Sequence, residues 1–221
     1  MSEKGNYPLA YNFQRSEEAK APLLLQLHGY GSHENDLYAM RDGLPAALHI
    51  LSLRAPLNLG MGGFAWYEID FNQPGAKMNN LEQARESLGL IRTFLKRFRE
   101  AEDLVESEVW LMGFSQGCIL SYALALQEPH NFSKVLALSG YVLKELVPEQ
   151  YQPAQIQHLD FFVSHGSEDP IIPVQAARQS VAMLEKLQIS HRYQEYPVGH
   201  GVAPENFRDL QKWLQQRLAE G

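Results

Sequence analysis

Gly113-Phe114-Ser115-Gln116-Gly117 is the stretch on which the reading of this chain turns. It fits the pattern G-x-S-x-G, in which a serine occupies a sharp turn between a strand and a helix and exposes its hydroxyl. Glycine on either side suits so tight a turn, and the missing Cβ atoms let strand and helix pack closely. The pattern alone decides little: with Gly and Ser each at roughly 7% of residues, about one chain in fourteen of this length carries it by chance. Its flanks decide more. Residues 108–112 (E-V-W-L-M) read as a buried strand and residues 118–126 (C-I-L-S-Y-A-L-A-L) as a buried helix. Strand, turn and helix therefore follow in the order the chemistry requires.

Outward from this centre, apolar strand-like runs alternate with helical patterns. Residues 23–27, 49–53, 135–138, 161–164 and 191–196 read as strands, and residues 7–13 as an edge strand. Residues 36–48 read as a helix interrupted near Gly43 and Pro45, and residues 143–157 as a loop or short helix. Leu81, Ala84, Leu88, Ile91, Leu95 and Phe98 recur at spacings of three and four, which predicts a long amphipathic helix. Residues 174–187 and 204–218 carry similar stripes. Residues 57–80, rich in Gly, Asn, Pro and aromatics, read as a loop. Such alternation predicts an α/β fold, a mostly parallel sheet flanked by helices on both faces. Residues 1–221 read as a single domain.

The 221 residues are 45% hydrophobic with a net charge of −7, the two signs interspersed. No basic run stands out, which argues against nucleic acid as a partner. Arg92 to Arg99 is the most basic stretch, but apolar residues interleave it as on the solvated face of a helix. The one cysteine, Cys118, allows no intrachain disulfide and favours a reducing compartment. Residues 1–6 are polar and lack the apolar core of a signal peptide, and no stretch has the roughly 18 apolar residues of a membrane span. A soluble, cytoplasmic protein without stable membrane insertion is the expectation.

In open α/β sheets, sites form at the carboxyl ends of the strands, so the loops after the strands are where partners for Ser115 belong. A serine hydroxyl needs a general base, and the base needs an orienting carboxylate. With an elbow of this type the acid and then the base follow the serine in the chain. His200, in Gly199-His200-Gly201 after the last strand, is the favoured base; His165, which ends a strand, is the alternative. His158 and His191 lie at strand starts, and His130 sits beside Pro129 at a helix end. Asp169, before Pro170, is the favoured acid; its neighbour Glu168 is the alternative, and Asp160 lies at the wrong end of its strand. Two backbone N–H groups are needed for the oxyanion. Gln116 at the helix start offers one, and Tyr30, in Leu27-His28-Gly29-Tyr30-Gly31, the other. Leu59, Met61, Phe64, Trp66 and Tyr67 are candidate walls of an acyl pocket. The constellation calls for no metal and no cofactor.

These pieces resemble the phospholipase/carboxylesterase family of α/β-hydrolases, which includes the acyl-protein thioesterases. The matching residues are Leu27-His28-Gly29-Tyr30-Gly31, Arg54-Ala55-Pro56, Trp66-Tyr67, Gly113-Phe114-Ser115-Gln116-Gly117, His165-Gly166-Ser167-Glu168-Asp169-Pro170 and Gly199-His200, in family order along nearly the whole chain. The resemblance implies a catalytic triad of Ser115, Asp169 and His200, with oxyanion donors at Tyr30 and Gln116. It implies hydrolysis of small to medium acyl esters, thioesters or lysophospholipids, with a small-molecule ester or thioester as partner. A homodimer is a further expectation, since related small esterases often pair. An acyltransferase and a non-catalytic binder are the alternatives. The chain departs from the family in carrying Cys118 where a glycine is usual, and Ser32-His33-Glu34-Asn35-Asp36 in the first loop.

Overall fold

The structure, a computed structural model, describes residues 7–18, 20–70, 72 and 79–220. The polar start at 1–6, and positions 71 and 73–78 of the 57–80 loop, lie outside the described residues. In chain order the elements are β1 (Tyr11–Gln14), β2 (Leu23–Leu27), α1 (Asn35–Tyr38), β3 (His49–Leu53), β4 (Leu57–Gly60), β5 (Gly63–Ala65), α2 (Leu81–Ala101), β6 (Val109–Phe114), α3 (Gln116–Gln127), β7 (Lys134–Leu138), α4 (Pro153–Ile156), β8 (Asp160–Gly166), α5 (Val174–Lys186), β9 (Ser190–Tyr196) and α6 (Pro204–Glu220). Seven strands form one sheet in the order β1-β3-β2-β6-β7-β8-β9, parallel except for the edge strand β1. β4 and β5 form a separate hairpin.

The central strands are buried on both faces, so they read as continuous apolar runs, and their side chains divide by alternation. Leu23, Leu25 and Leu27 pack with Leu111, Val135 and Phe161 beneath α2, α3 and α5. Leu24 and Ile50 pack on the other face with Trp110, Met112 and Phe162, under Leu37, Leu210, Trp213 and Leu214 of α1 and α6. The stripe of α2 points into the first layer as its spacing predicts, and Asn80 caps the helix by accepting the Gln83 N–H at 3.2 Å. Among the described residues, no helix is long and apolar enough to cross a membrane.

Two expectations change. The helix read over 36–48 is one turn, α1, followed by a 3₁₀ turn at Arg41–Gly43. Pro45 has no N–H to continue a helix, and Gly43 sits where a Cβ would meet the Phe207 ring at 2.8 Å. The 57–80 loop contains the hairpin. Its tip is Gly60-Met61-Gly62, all three at positive φ, a run of turn residues that masked two short strands.

Register aligns the functional ends: Leu27 pairs with both Leu53 and Gly113, Phe114 with Leu138, and Leu138 with Ser164. The loops that follow leave the same edge. The start of α3 meets the end of β2 without any side chain between them: a Cβ on Gly117 would collide with Leu27 O and lie 2.7 Å from His28 O. Gly117→Ala is therefore expected to cost roughly 3 kcal/mol in urea unfolding. Gly89 lies within α2 and has nothing within 4 Å of a Cβ. Gly89→Ala should instead stabilise by about 0.5–1 kcal/mol. Equal effects at the two positions would contradict this account of the packing.

Candidate active site

Ser115 sits between β6 and α3 with φ 53° and ψ −114°, a conformation that side-chain-bearing residues rarely adopt. The turn is over-determined by its surroundings. Ser115 N–H donates to Leu138 O at 2.9 Å. A Cβ on Gly113 would collide with Gly117 O and Ser121 Oγ and lie 2.6 Å from Cys118 Cα. Cys118 itself is buried, and burial pushes its thiol up out of the reactive range. Gly140 makes room for it, since a Cβ there would meet Cys118 Sγ at 2.6 Å. The cysteine at a position where glycine is usual is thus accommodated by a glycine on the neighbouring loop.

Ser115, His200 and Asp169 come together from loops far apart in sequence. His200 Nε2 lies 2.9 Å from Ser115 Oγ, and His200 Nδ1 lies 2.6 Å from Asp169 Oδ2. Nδ1–H donating to the carboxylate leaves Nε2 to accept from the serine hydroxyl. The His200 ring leans on Phe114 at 5.0 Å between centroids. Its loop rests on the end of β8, where a Cβ on Gly166 would collide with Val198 O and Gly199 O. Ser167 and Glu168 N–H groups donate to Tyr196 and Val198 carbonyls, tying the Asp169 loop to the His200 loop.

The Asp169 side chain has no exposed surface. Burial alone would raise its carboxyl, but hydrogen bonds from His200 and from the Ile172 and Ile171 N–H groups hold it below the ordinary carboxylate range. Those N–H groups reach Oδ1 at 2.9 and 2.8 Å, leaving Oδ2 for His200. His165 is a second imidazole beside this acid. Its Nε2 lies 2.8 Å from Ile172 O and 3.2 Å from Asp169 Oδ2, so it faces the carboxylate and not the serine. The alternative acid, Glu168, is exposed. His158 binds the carbonyls of Pro129 and Phe132, away from the relay, and Asp160 pairs with Arg217 at the opposite end of β8.

Gln116 opens α3, where the leading N–H groups have no carbonyl one turn earlier to bind. Gly29 brings the Tyr30 loop close: a Cβ on it would lie 3.4 Å from Ser115 Cβ. The Gln116 side chain has a task that the sequence did not reveal. It accepts from Trp66 N–H at 2.8 Å and donates to Tyr67 O at 2.7 Å, fastening the exit of β5 to the elbow.

The five wall candidates separate. Leu59 and Met61 are exposed near the hairpin tip, and Phe64 is half-buried. Trp66 and Tyr67 have no exposed surface and so offer none to a ligand. Trp66 Nε1–H donates to His28 O at 2.9 Å, and its ring lies among the core. The expectation that these two line a pocket gives way to a supporting role, because large aromatic side chains in a Gly-rich segment also serve to pack that segment down. Ile171, two residues past the acid, is a large exposed apolar side chain that the sequence reading did not single out.

The family model described as phospholipase/carboxylesterase matches residues 11–218. The chain belongs to that family, and with it to the hydrolases. Acyl-protein thioesterase 1 of Kluyveromyces lactis is 30% identical over 212 residues, covering 89% of this chain and 92% of the relative. Its counterpart in Cryptococcus neoformans is 24% identical over 233 residues, covering 91% and 94%. Among solved structures, the Bacillus cereus carboxylesterase superposes with a TM-score of 0.80 at 18% identity, covering 96% of this chain and 95% of that one. Zea mays acyl-protein thioesterase 2 gives 0.72 at 18%, covering 95% and 99%. These likenesses establish the α/β-hydrolase fold.

In this family member the first loop is braced by Arg54, which follows β3. Its guanidinium holds the buried Glu34 carboxylate through two bonds of 2.6 and 2.5 Å and lies 4.6 Å from the Phe64 ring centroid. The Arg54 hydrogen bond keeps the Glu34 carboxyl below its ordinary 4.5, against an opposing effect of burial. The folded state therefore gains stability above that value and loses it as pH falls through the lowered one. Glu34→Gln should cost about 1–2 kcal/mol at pH 7, discounted for the exposure of Arg54. Parallel urea titrations from pH 7 down to pH 3 should show the difference from wild type shrinking. A constant difference would contradict the pairing.

Proposed function

We propose that the chain hydrolyses carboxylic esters through an acyl-enzyme on Ser115, with His200 as general base and Asp169 as its orienting acid. The observation that carries this reading is the unbroken relay from Ser115 Oγ to His200 Nε2 and from His200 Nδ1 to Asp169 Oδ2, at 2.9 and 2.6 Å. His200 Nε2 takes the hydroxyl proton as Ser115 Oγ attacks the acyl carbon. Asp169 keeps Nδ1 protonated and stabilises the imidazolium. The tetrahedral oxyanion is held by the N–H groups of Gln116 and Tyr30, the former also favoured by the positive end of α3. Collapse breaks the bond to the leaving alcohol or thiol, which takes the proton from Nε2. Water then enters, gives its proton to Nε2 and releases the acid, and Ser115 regains its proton.

Small to medium acyl esters are the substrates this reading favours, with thioesters and lysophospholipids in the same class. Support comes from the exposed apolar residues Leu59, Met61 and Ile171, on the hairpin and beside the acid. The names of the yeast relatives point to thioesters as well. The single buried Cys118 fits the reducing cytoplasm proposed as the site of action.

Turnover of p-nitrophenyl acetate, butyrate and octanoate tests the reading. Ser115→Ala should lose about 10⁴-fold or more of kcat, and Asp169→Asn about 10⁴-fold, with a fluorophosphonate labelling wild type but not Ser115→Ala. Wild-type rates in Ser115→Ala would overturn it.

A further inference from the structure

His28 ends β2, is fully buried, and takes no part in the relay. Both of its ring nitrogens face fixed partners. Ala55 N–H donates to Nε2 at 3.0 Å, so that nitrogen carries no proton. The ring proton therefore sits on Nδ1, which donates to Gly29 O at 2.7 Å. The Trp66 ring lies 5.4 Å from the imidazole, and Trp66 Nε1–H donates to the His28 carbonyl, so the ring cannot swing without disturbing the core.

Gly29 O and Tyr30 N–H belong to one peptide unit. Cis bonds are absent among the described residues, so the carbonyl and the N–H of that unit point in opposite directions. Fixing Gly29 O on the imidazole turns the Tyr30 N–H away from His28. Ser32 N–H, at 3.3 Å from the same oxygen, closes the turn, and Gly31 N–H donates to Phe64 O at 2.9 Å on its far side. Gly29 itself lies against the nucleophile, with a Cβ there 3.4 Å from Ser115 Cβ.

Resting on the ester-hydrolase reading above, we infer that His28 is a positioning residue: its Nδ1–H clamps the Gly29 carbonyl and thereby aims the Tyr30 N–H at the oxyanion. Two substitutions separate this task from core filling. In His28→Asn the amide nitrogen takes the place of Nδ1 and can still bind Gly29 O. In His28→Gln the amide takes the place of Nε2, retaining an acceptor for Ala55 N–H but losing the clamp.

The test measures kcat and KM for p-nitrophenyl butyrate, and affinity for an aryl boronic acid that forms a tetrahedral adduct on the serine, using the full chain. His28→Asn should keep kcat within about threefold of wild type. His28→Gln should lower kcat by about 10- to 10³-fold and weaken boronic acid binding in parallel, with KM changed less than about threefold. Equal kcat in the two variants, a change confined to KM, or an unfolded His28→Asn by circular dichroism would overturn the inference. Core filling predicts that the larger Gln is the better tolerated. Ser115→Ala run alongside keeps the two readings apart: loss of activity there with equal His28 variants refutes the clamp alone, while wild-type activity there refutes the hydrolase reading itself.

Discussion

Everything at this site depends on one close contact, the start of α3 against the end of β2. Gly117 permits it, because any Cβ would collide with Leu27 O. The contact brings the start of α3 against Leu27 and His28, and Gly29, the next residue, comes within 3.4 Å of Ser115 Cβ at the position of a Cβ. Gly113 repeats the device behind the serine, and the two glycines leave room for the tight turn in which Ser115 has φ 53°. The cost of the strained serine, of order 1–3 kcal/mol, is offset by the core that α3 buries on every side.

Around this contact the structure ties loops to one another instead of leaving each to hold its own residue. Gln116 grips Trp66 and Tyr67, Trp66 grips His28, and His28 grips Gly29. On the other side of the serine, the Asp169 loop bonds to the His200 loop through Ser167 and Glu168, and Asp169 is hemmed by two N–H groups and two imidazoles. Such cross-links locate the relay to within hydrogen-bond distance, although its three members are up to 85 residues apart.

The fold was legible because its strands are buried on both faces and so stand out as apolar runs between helical stripes. The relay residues were legible because parallel strands deliver their following loops to one edge, which left few histidines and carboxylates to choose among. Three things were hidden. The hairpin β4–β5 lay behind a run of glycines that reads as loop. Gln116 was read for its backbone alone, although its side chain fastens Trp66 and Tyr67. His28 and His165 carry no local signal, since an imidazole that hydrogen-bonds within a buried loop looks the same in sequence as one that fills space. Trp66 and Tyr67 show the converse: aromatic residues in a loop suggested a pocket wall, and they are interior braces with no exposed surface.

The central claim is that Ser115 carries the acyl group. It is tested most directly by acid-quenching the enzyme during the pre-steady-state burst with p-nitrophenyl octanoate and measuring intact and peptide masses. The account predicts a mass gain of one octanoyl group, confined to the peptide containing Ser115. No adduct during turnover, or an adduct on any other residue, Cys118 included, would contradict it.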